Sequence, residues 1–306
     1  MTKDTQELRE LLSKLLPGLH IQSVASPSGQ RVVYFARFKT PALEQRIKWG
    51  QVVVKVSEQL SARQIAYLEK EIHLLNSLSS LYYPKLHYNE AFTHDPENGD
   101  SLAHLVFVSI EERVDAEPLT KCKGRFTTES KVIGLLNSLI DGLDLLWSRP
   151  EKIVHRDLKP ENILVRKDGS LVIIDLGIVR EEGAPGLTDD AAQWGPCTPP
   201  YASPEQARND KKNITFKSDL FTLGTIAYEL LTGSNPYANP QTDTKEDVLY
   251  KIQTLVPTTL HALGKTTHLF SQMIEVLMKK EPFERFRTVS RFKQSLLECH
   301  EAQNGK

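Results

Sequence analysis

Apolar residues in the first third of this chain alternate with polar ones at the period of a strand. Further along they recur at the period of a helix. Arg31–Phe38 (RVVYFARF) and Gln51–Val56 (QVVVKV) are short and rich in β-branched and aromatic residues, which predicts two strands. Thr40–Gly50 joins them and carries the breaker Pro41. Ile65, Leu68, Ile72 and Leu75 form one stripe and predict a helix from about Ser61 to Leu78. Leu102–Ile110 (LAHLVFVSI) predicts another strand, reached through the polar loop Thr93–Ser101. From Thr128 onward, helical patterns cover Ser130–Ser148, Asp219–Thr232, Asp247–Leu255, Thr267–Lys279 and Val289–His300. Ahead of all of these, Leu8, Leu11, Leu12 and Leu15 sit at helical spacing until Pro17-Gly18 stops the pattern. That short amphipathic helix has two open roles, packing on the strand-rich part or docking a partner. A strand-rich part followed by a helix-rich part predicts an α+β fold of two segregated lobes.

Charge and composition narrow the class. The chain has 306 residues and a formal net charge of −1. No large basic excess points to nucleic acid or to an anionic membrane surface, so neither is expected as a partner. No stretch approaches the apolar length of a membrane-spanning helix. Asp4, Glu7 and Glu10 interrupt any apolar run that would make a secretory leader. Cys122, Cys197 and Cys299 are far apart and form no C-x-x-C, which argues against a disulfide framework or a zinc site. A reducing, cytoplasmic setting is the expectation.

The chemistry is concentrated in two short runs. Residues 155–162 read His-Arg-Asp-Leu-Lys-Pro-Glu-Asn, and thirteen residues past Asn162 comes Asp175-Leu176-Gly177. Phosphoryl transfer asks for a carboxylate to orient the attacking hydroxyl, a cation on the moving phosphate and oxygen ligands for magnesium. Asp157, Lys159, Asn162 and Asp175 are those groups in the right order. The run resembles the catalytic-loop signature of the protein kinase family, in its serine/threonine branch. Lys159, two residues after Asp157, favours that branch over tyrosine specificity.

The resemblance implies a bilobal kinase-like fold with a small β-rich N-lobe and a larger helical C-lobe. It divides the chain into an N-terminal helix over 1–17, a kinase domain over 18–300 and a tail over 301–306. The lobes meet at about 112/113. It implies ATP and Mg2+ as cofactors and a protein Ser/Thr hydroxyl as acceptor. Asp157 and Lys159 would be catalytic, with Asn162 and Asp175 holding the metal. Lys55 lies inside the apolar run Val52–Val56, where a charge is costly unless paired; the family keeps a lysine there for the α- and β-phosphates. Glu71 matches the helix glutamate that pairs with it, preferred over Glu69 because Ile72 and Leu75 flank it on the buried side.

The phosphate loop departs from the family. Where G-x-G-x-x-G-x-V is expected, this chain has Ser26-Pro27-Ser28-Gly29-Gln30-Arg31-Val32-Val33. Ser28 and Gly29 are the candidates for close backbone approach. Arg31, at a glycine position, either reaches a phosphate or obstructs the approach. Val33 and Val53 would roof the adenine and Leu164 would floor it. The hinge falls near Glu111–Asp115, with Glu112 the nucleotide contact. Either Glu111 or Ile110 guards the rear of the pocket. Leu75, Leu86, His155 and Leu176 would make the family's regulatory hydrophobic stack.

The segment Ile178–Glu205 resembles the family's activation segment and ends Thr198-Pro199-Pro200-Tyr201-Ala202-Ser203-Pro204-Glu205. Thr188 is the candidate phospho-acceptor, with Arg156 and Arg180 as receiving cations. Asp189 and Asp190 would supply charge without modification. Thr198 is expected against the catalytic loop. Cys197 is either a redox handle or a small residue in a tight turn. Arg285, in Glu281-Pro282-Phe283-Glu284-Arg285, should pair with Glu205. Two other readings stay open. One is a pseudokinase that keeps the fold as a binding module; the other is a small-molecule phosphotransferase sharing the H-x-D-x-x-x-x-N logic.

Overall fold

The computed structural model describes residues 2–25, 31–39, 48–176, 180–181 and 197–304. The chain divides into two compact units, Met1–Asp115 and Ala116–Lys306.

The first unit is a five-stranded antiparallel sheet in the order β1-β2-β3-β5-β4, with one helix before it and one inserted in it. Helix α1 (Gln6–Leu15) starts at Thr5, whose hydroxyl accepts the Leu8 amide. Then come β1 (Leu19–Val24), β2 (Val32–Phe38), β3 (Gln51–Glu58), helix α2 (Ala62–Ser77), β4 (Leu86–His94) and β5 (Ser101–Glu112). Ser61 and Gln64 form a capping box that fixes where α2 begins.

Strand alternation sends every second side chain to the same face. Tyr34, Val52, Val54, Val56, Val108 and Ile110 share one buried cluster with Leu8, Leu12 and Leu15 of α1. The N-terminal helix therefore packs on its own unit's sheet, the first of its two expected roles. A second anchor fixes its start: the Tyr34 hydroxyl donates to Asp4, which also takes both arms of Arg9. The other face carries Phe107, which packs with Leu68 and Ile72 of α2.

β1 and β4 lay outside the sequence expectation. Both are edge strands with mostly exposed side chains and no sustained apolar alternation.

The second unit opens with β6 (Ala116–Pro118) and a single turn, α3 (Leu119–Cys122). It continues through α4 (Glu129–Trp147), β7 (Ile153–Val154), β8 (Ile163–Arg166), β9 (Leu171–Ile173), β10 (Arg180–Glu181) and another single turn, α5 (Pro204–Ala207). Four helices follow: α6 (Phe216–Thr232), α7 (Lys245–Thr254), α8 (His268–Leu277) and α9 (Val289–Asn304). β6, β8 and β9 make a small antiparallel sheet. Gly224 of α6 is required by packing, since a Cβ there would lie 2.8 Å from the Met278 side chain and 2.9 Å from Leu277.

Lys280 follows α8 and reaches inward. Its ammonium donates to the Ile252 carbonyl at 2.7 Å and the Tyr237 hydroxyl at 3.2 Å, and lies 4.3 Å from the Tyr237 ring centre. Burial, helped by the nearby charge of Arg285, pushes its pKa down to about 7. An unfolded lysine keeps its proton up to about 10.4. Between those values the unfolded chain binds the extra proton, so this residue's contribution to stability rises with pH. Denaturant unfolding at pH 6.5 and pH 9 should show wild type gaining on Lys280→Met at the higher pH. A difference that stays constant with pH would place the lysine's titration elsewhere.

Candidate active site

Within the first unit, four charged side chains converge on the face of the sheet opposite α1. Lys55 sits in the middle of β3 between the buried Val54 and Val56, and its side chain is 13% exposed. Register places Val33 beside it on β2 and Ser109 beside it on β5. Val53 precedes it on the same face and is paired with Glu111. Glu71 projects from α2 and is buried, whereas Glu69 is exposed. Both Glu71 oxygens are taken by the Arg31 guanidinium, Nη1 at 3.0 Å and Nη2 in a short contact. Lys55 Nζ lies 3.8 Å from Glu71 Oε1 but 2.7 Å from Glu111 Oε1. The latter is a charge contact at a buried oxygen without the alignment of a hydrogen bond.

The Arg31 side chain is held by a carboxylate forty positions along the chain, a pairing the sequence did not suggest. The register also resolves the choice between Glu111 and Ile110. Ile110 lies in the cluster under α1, and Glu111 is the residue on Lys55's face. Glu112 pairs with Val52 on the opposite face, and its carboxylate accepts the Lys85 amide at 3.3 Å. Its own N–H donates to the Lys85 carbonyl at 2.8 Å. Ser28 and Gly29 lie outside the described residues.

Within the second unit, the loop after β7 is fixed from beneath by one carboxylate. Asp219, wholly buried on α6, accepts the amides of His155 (2.9 Å) and Arg156 (3.0 Å) and the Trp147 indole N–H (2.8 Å). Burial pushes its pKa up, while His155 and these donors pull the other way. Gln206 Nε2 donates to the Arg156 carbonyl at 2.7 Å. These bonds hold Arg156 at a φ of 70°, a left-handed conformation rare for a residue with a Cβ. The sequence placed Asp219 at the start of a helical pattern without showing its role as loop anchor. The available signal was an acid inside an otherwise apolar helix.

Asp157 is thereby presented with both oxygens in use. Thr198 Oγ1 donates to Oδ1 at 2.6 Å and Lys159 Nζ donates to Oδ2 at 2.8 Å. Lys159 also donates to Thr198 Oγ1 at 3.0 Å, closing a triangle. Thr198 is where the sequence placed it, against the catalytic loop. Burial pushes the neighbouring Cys197 thiol up to about 11, which keeps it a thiol at neutral pH and argues against a redox handle.

Asn162 Nδ2 donates to the Asp157 carbonyl at 2.9 Å, and the Asn162 carbonyl accepts the Ile174 amide at 2.9 Å. That second bond ties the chain just ahead of Asp175 to Asn162. Asp175 itself has a φ of 67°. Leu164 is half-buried on β8, and Leu176 is buried.

The donor set fits magnesium. The nitrogen end of Asn162 is committed to the loop, which leaves an amide oxygen and a carboxylate as the oxygen ligands a hard cation prefers. Among the described residues no cluster of three or more His, Cys, Asp or Glu could hold a metal by itself. Magnesium bound through substrate phosphates needs only one or two protein ligands. Thr188, Asp189 and Asp190 lie outside the described residues, and of Arg180 only the backbone is described.

A model of the protein kinase domain matches residues 45–297. The chain belongs to the protein kinase domain family. Similar proteins include serine/threonine-protein kinases of bacteria. The chain is 33% identical over 163 residues to serine/threonine-protein kinase PknB of Mycolicibacterium smegmatis, covering 52% of this chain and 25% of that protein. It is 31% identical over 156 residues to PknL of Mycobacterium tuberculosis, covering 51% and 37%. A probable PknB of Bifidobacterium longum is 26% identical over 239 residues, covering 76% and 33%. The chain thus spans well under half the length of the curated relatives it matches. Protein kinases generally use ATP and Mg2+ as cofactors. Among the described residues no helix is long and apolar enough to cross a membrane.

Proposed function

We propose that this kinase domain transfers the γ-phosphate of ATP to serine or threonine hydroxyls of proteins, itself among them. The observation that carries the reading is the Asp157–Lys159–Thr198 triangle on a loop anchored by Asp219. Asp157 would orient the acceptor hydroxyl and take its proton. Lys159, already against that carboxylate, would place its charge on the transferring phosphoryl group. Lys55 would hold the α- and β-phosphates, and Val33, Val53 and Leu164 would flank the adenine. Ser28, Gly29 and the main chain of Glu112 complete the proposed nucleotide contacts. Magnesium, held through Asn162 and Asp175, would neutralise charge on the phosphates. All three cysteines are free, which fits a reducing, cytoplasmic setting.

Capture of Glu71 by Arg31, together with the missing glycines, favours a second reading, a pseudokinase that keeps the fold without turnover. One experiment separates the two. A saturating ligand at about a hundred times its Kd stabilises a protein by roughly 2.7 kcal/mol. Wild type should show an upward melting shift of that order with Mg-ATP and transfer labelled phosphate, and Asp175→Ala should lose the magnesium-dependent part of the shift. A wild type that neither shifts nor transfers would establish the pseudokinase.

A further inference from the structure

We propose that Glu111, rather than Glu71, is the working carboxylate partner of Lys55, because Arg31 has taken Glu71. The inference rests on the kinase reading of Lys55 and deepens it by naming a positioning residue.

Charge and geometry carry the argument. The four side chains Arg31, Lys55, Glu71 and Glu111 balance as two cations and two anions. A planar guanidinium matches a carboxylate with two parallel bonds, which an ammonium cannot do. Arg31 makes such a pair with Glu71, leaving Lys55 at 3.8 Å from an oxygen Arg31 already holds. Glu111, buried and on the same face as Lys55, supplies the contact at 2.7 Å. A lysine this enclosed keeps its charge and position only with an anion beside it.

The wiring makes an unusual genetic prediction. In Glu111→Gln, Lys55 loses its 2.7 Å anionic contact while Glu71 is already held in a fork by Arg31, so the positioning of Lys55 is weakened. In Glu71→Gln, the Lys55–Glu111 contact survives. In the double variant Arg31→Gln/Glu111→Gln, Glu71 is released to Lys55 and the pairing is restored. Removing a second charge should thus repair the damage done by removing the first, which loss of packing alone would not produce.

Two measurements test this. With isotope-labelled lysine, NMR titration of the nucleotide-free protein should show Glu111→Gln lowering the Lys55 midpoint further than Glu71→Gln does. In kinetics, Glu111→Gln should lower kcat/KM for ATP about tenfold or more, as expected when an enclosed lysine loses the anion beside it. Arg31→Gln/Glu111→Gln should recover most of that loss, and Glu111→Asp should retain most activity. The proposal is overturned if Glu71→Gln has the larger effect on the Lys55 midpoint, or if the double variant is no better than Glu111→Gln. Lys55→Met distinguishes the two levels: unchanged ATP use in that variant would remove the kinase role of Lys55, while the titration would still decide the pairing.

Discussion

Asp157→Asn is expected to reduce phosphoryl transfer by about 10²–10⁴-fold, the range for loss of a positioned general base. Folding should survive, because the loop is held by Asp219 bonding the amides of His155 and Arg156, not by the Asp157 side chain. Asparagine has the same shape, and its carbonyl oxygen can still accept the Thr198 hydroxyl. What disappears is the negative charge that pairs with Lys159 at 2.8 Å and would draw the acceptor's proton. The melting shift with Mg-ATP should persist, since Asn162 and Asp175 are untouched. The check is a single-turnover assay with labelled ATP, alongside a thermal melt. Transfer at the wild-type rate in this variant would remove Asp157 from the chemistry and with it the strongest support for the kinase reading.

What could be read from the sequence was local or motif-bound. The helices of the second unit announce themselves by apolar spacing, and their observed bounds differ from the expected ones by a few residues at each end. The catalytic loop is legible because its groups lie within eight consecutive positions. Strands β1 and β4 were not, because an edge strand buries too little on either face to leave an alternating pattern. The harder loss is in long-range pairing. Arg31 reads as a phosphate ligand or an obstruction when compared with the residue a family expects there. Its actual partner, Glu71, is forty residues away and is chosen by how β2 and α2 meet. Glu111 and Ile110 are adjacent in sequence and cannot be ranked without the register of β3 against β5, which turns one to the α1 face and the other to Lys55. By contrast, Arg285 and Glu205 were predictable across eighty residues, because both ends sit in motifs that are recognisable on their own.

That pair is where a stability loss should be greatest. Arg285 and Glu205 side chains are both 0% exposed. Nη1 and Nη2 of Arg285 reach the two Glu205 oxygens at 2.7 and 2.9 Å. Its remaining N–H groups go to the carbonyls of Lys279, Lys217 and Lys280, so all five donors of the guanidinium are used. Glu205 also accepts the Ser218 hydroxyl at 2.6 Å. A buried pair of this kind adds little net energy over an apolar replacement, because desolvation offsets the attraction. Breaking it from one side is another matter. Arg285→Met leaves Glu205 buried with a single hydroxyl and strips three carbonyls of their donor, and should destabilise the second unit by about 3–5 kcal/mol. The paired change Glu205→Leu/Arg285→Met removes the stranded charge and should regain a large part of that loss. Denaturant unfolding of the three proteins measures both effects. A single variant within about 0.5 kcal/mol of wild type, the range of ordinary surface substitutions, would mean that water reaches this pair despite its burial.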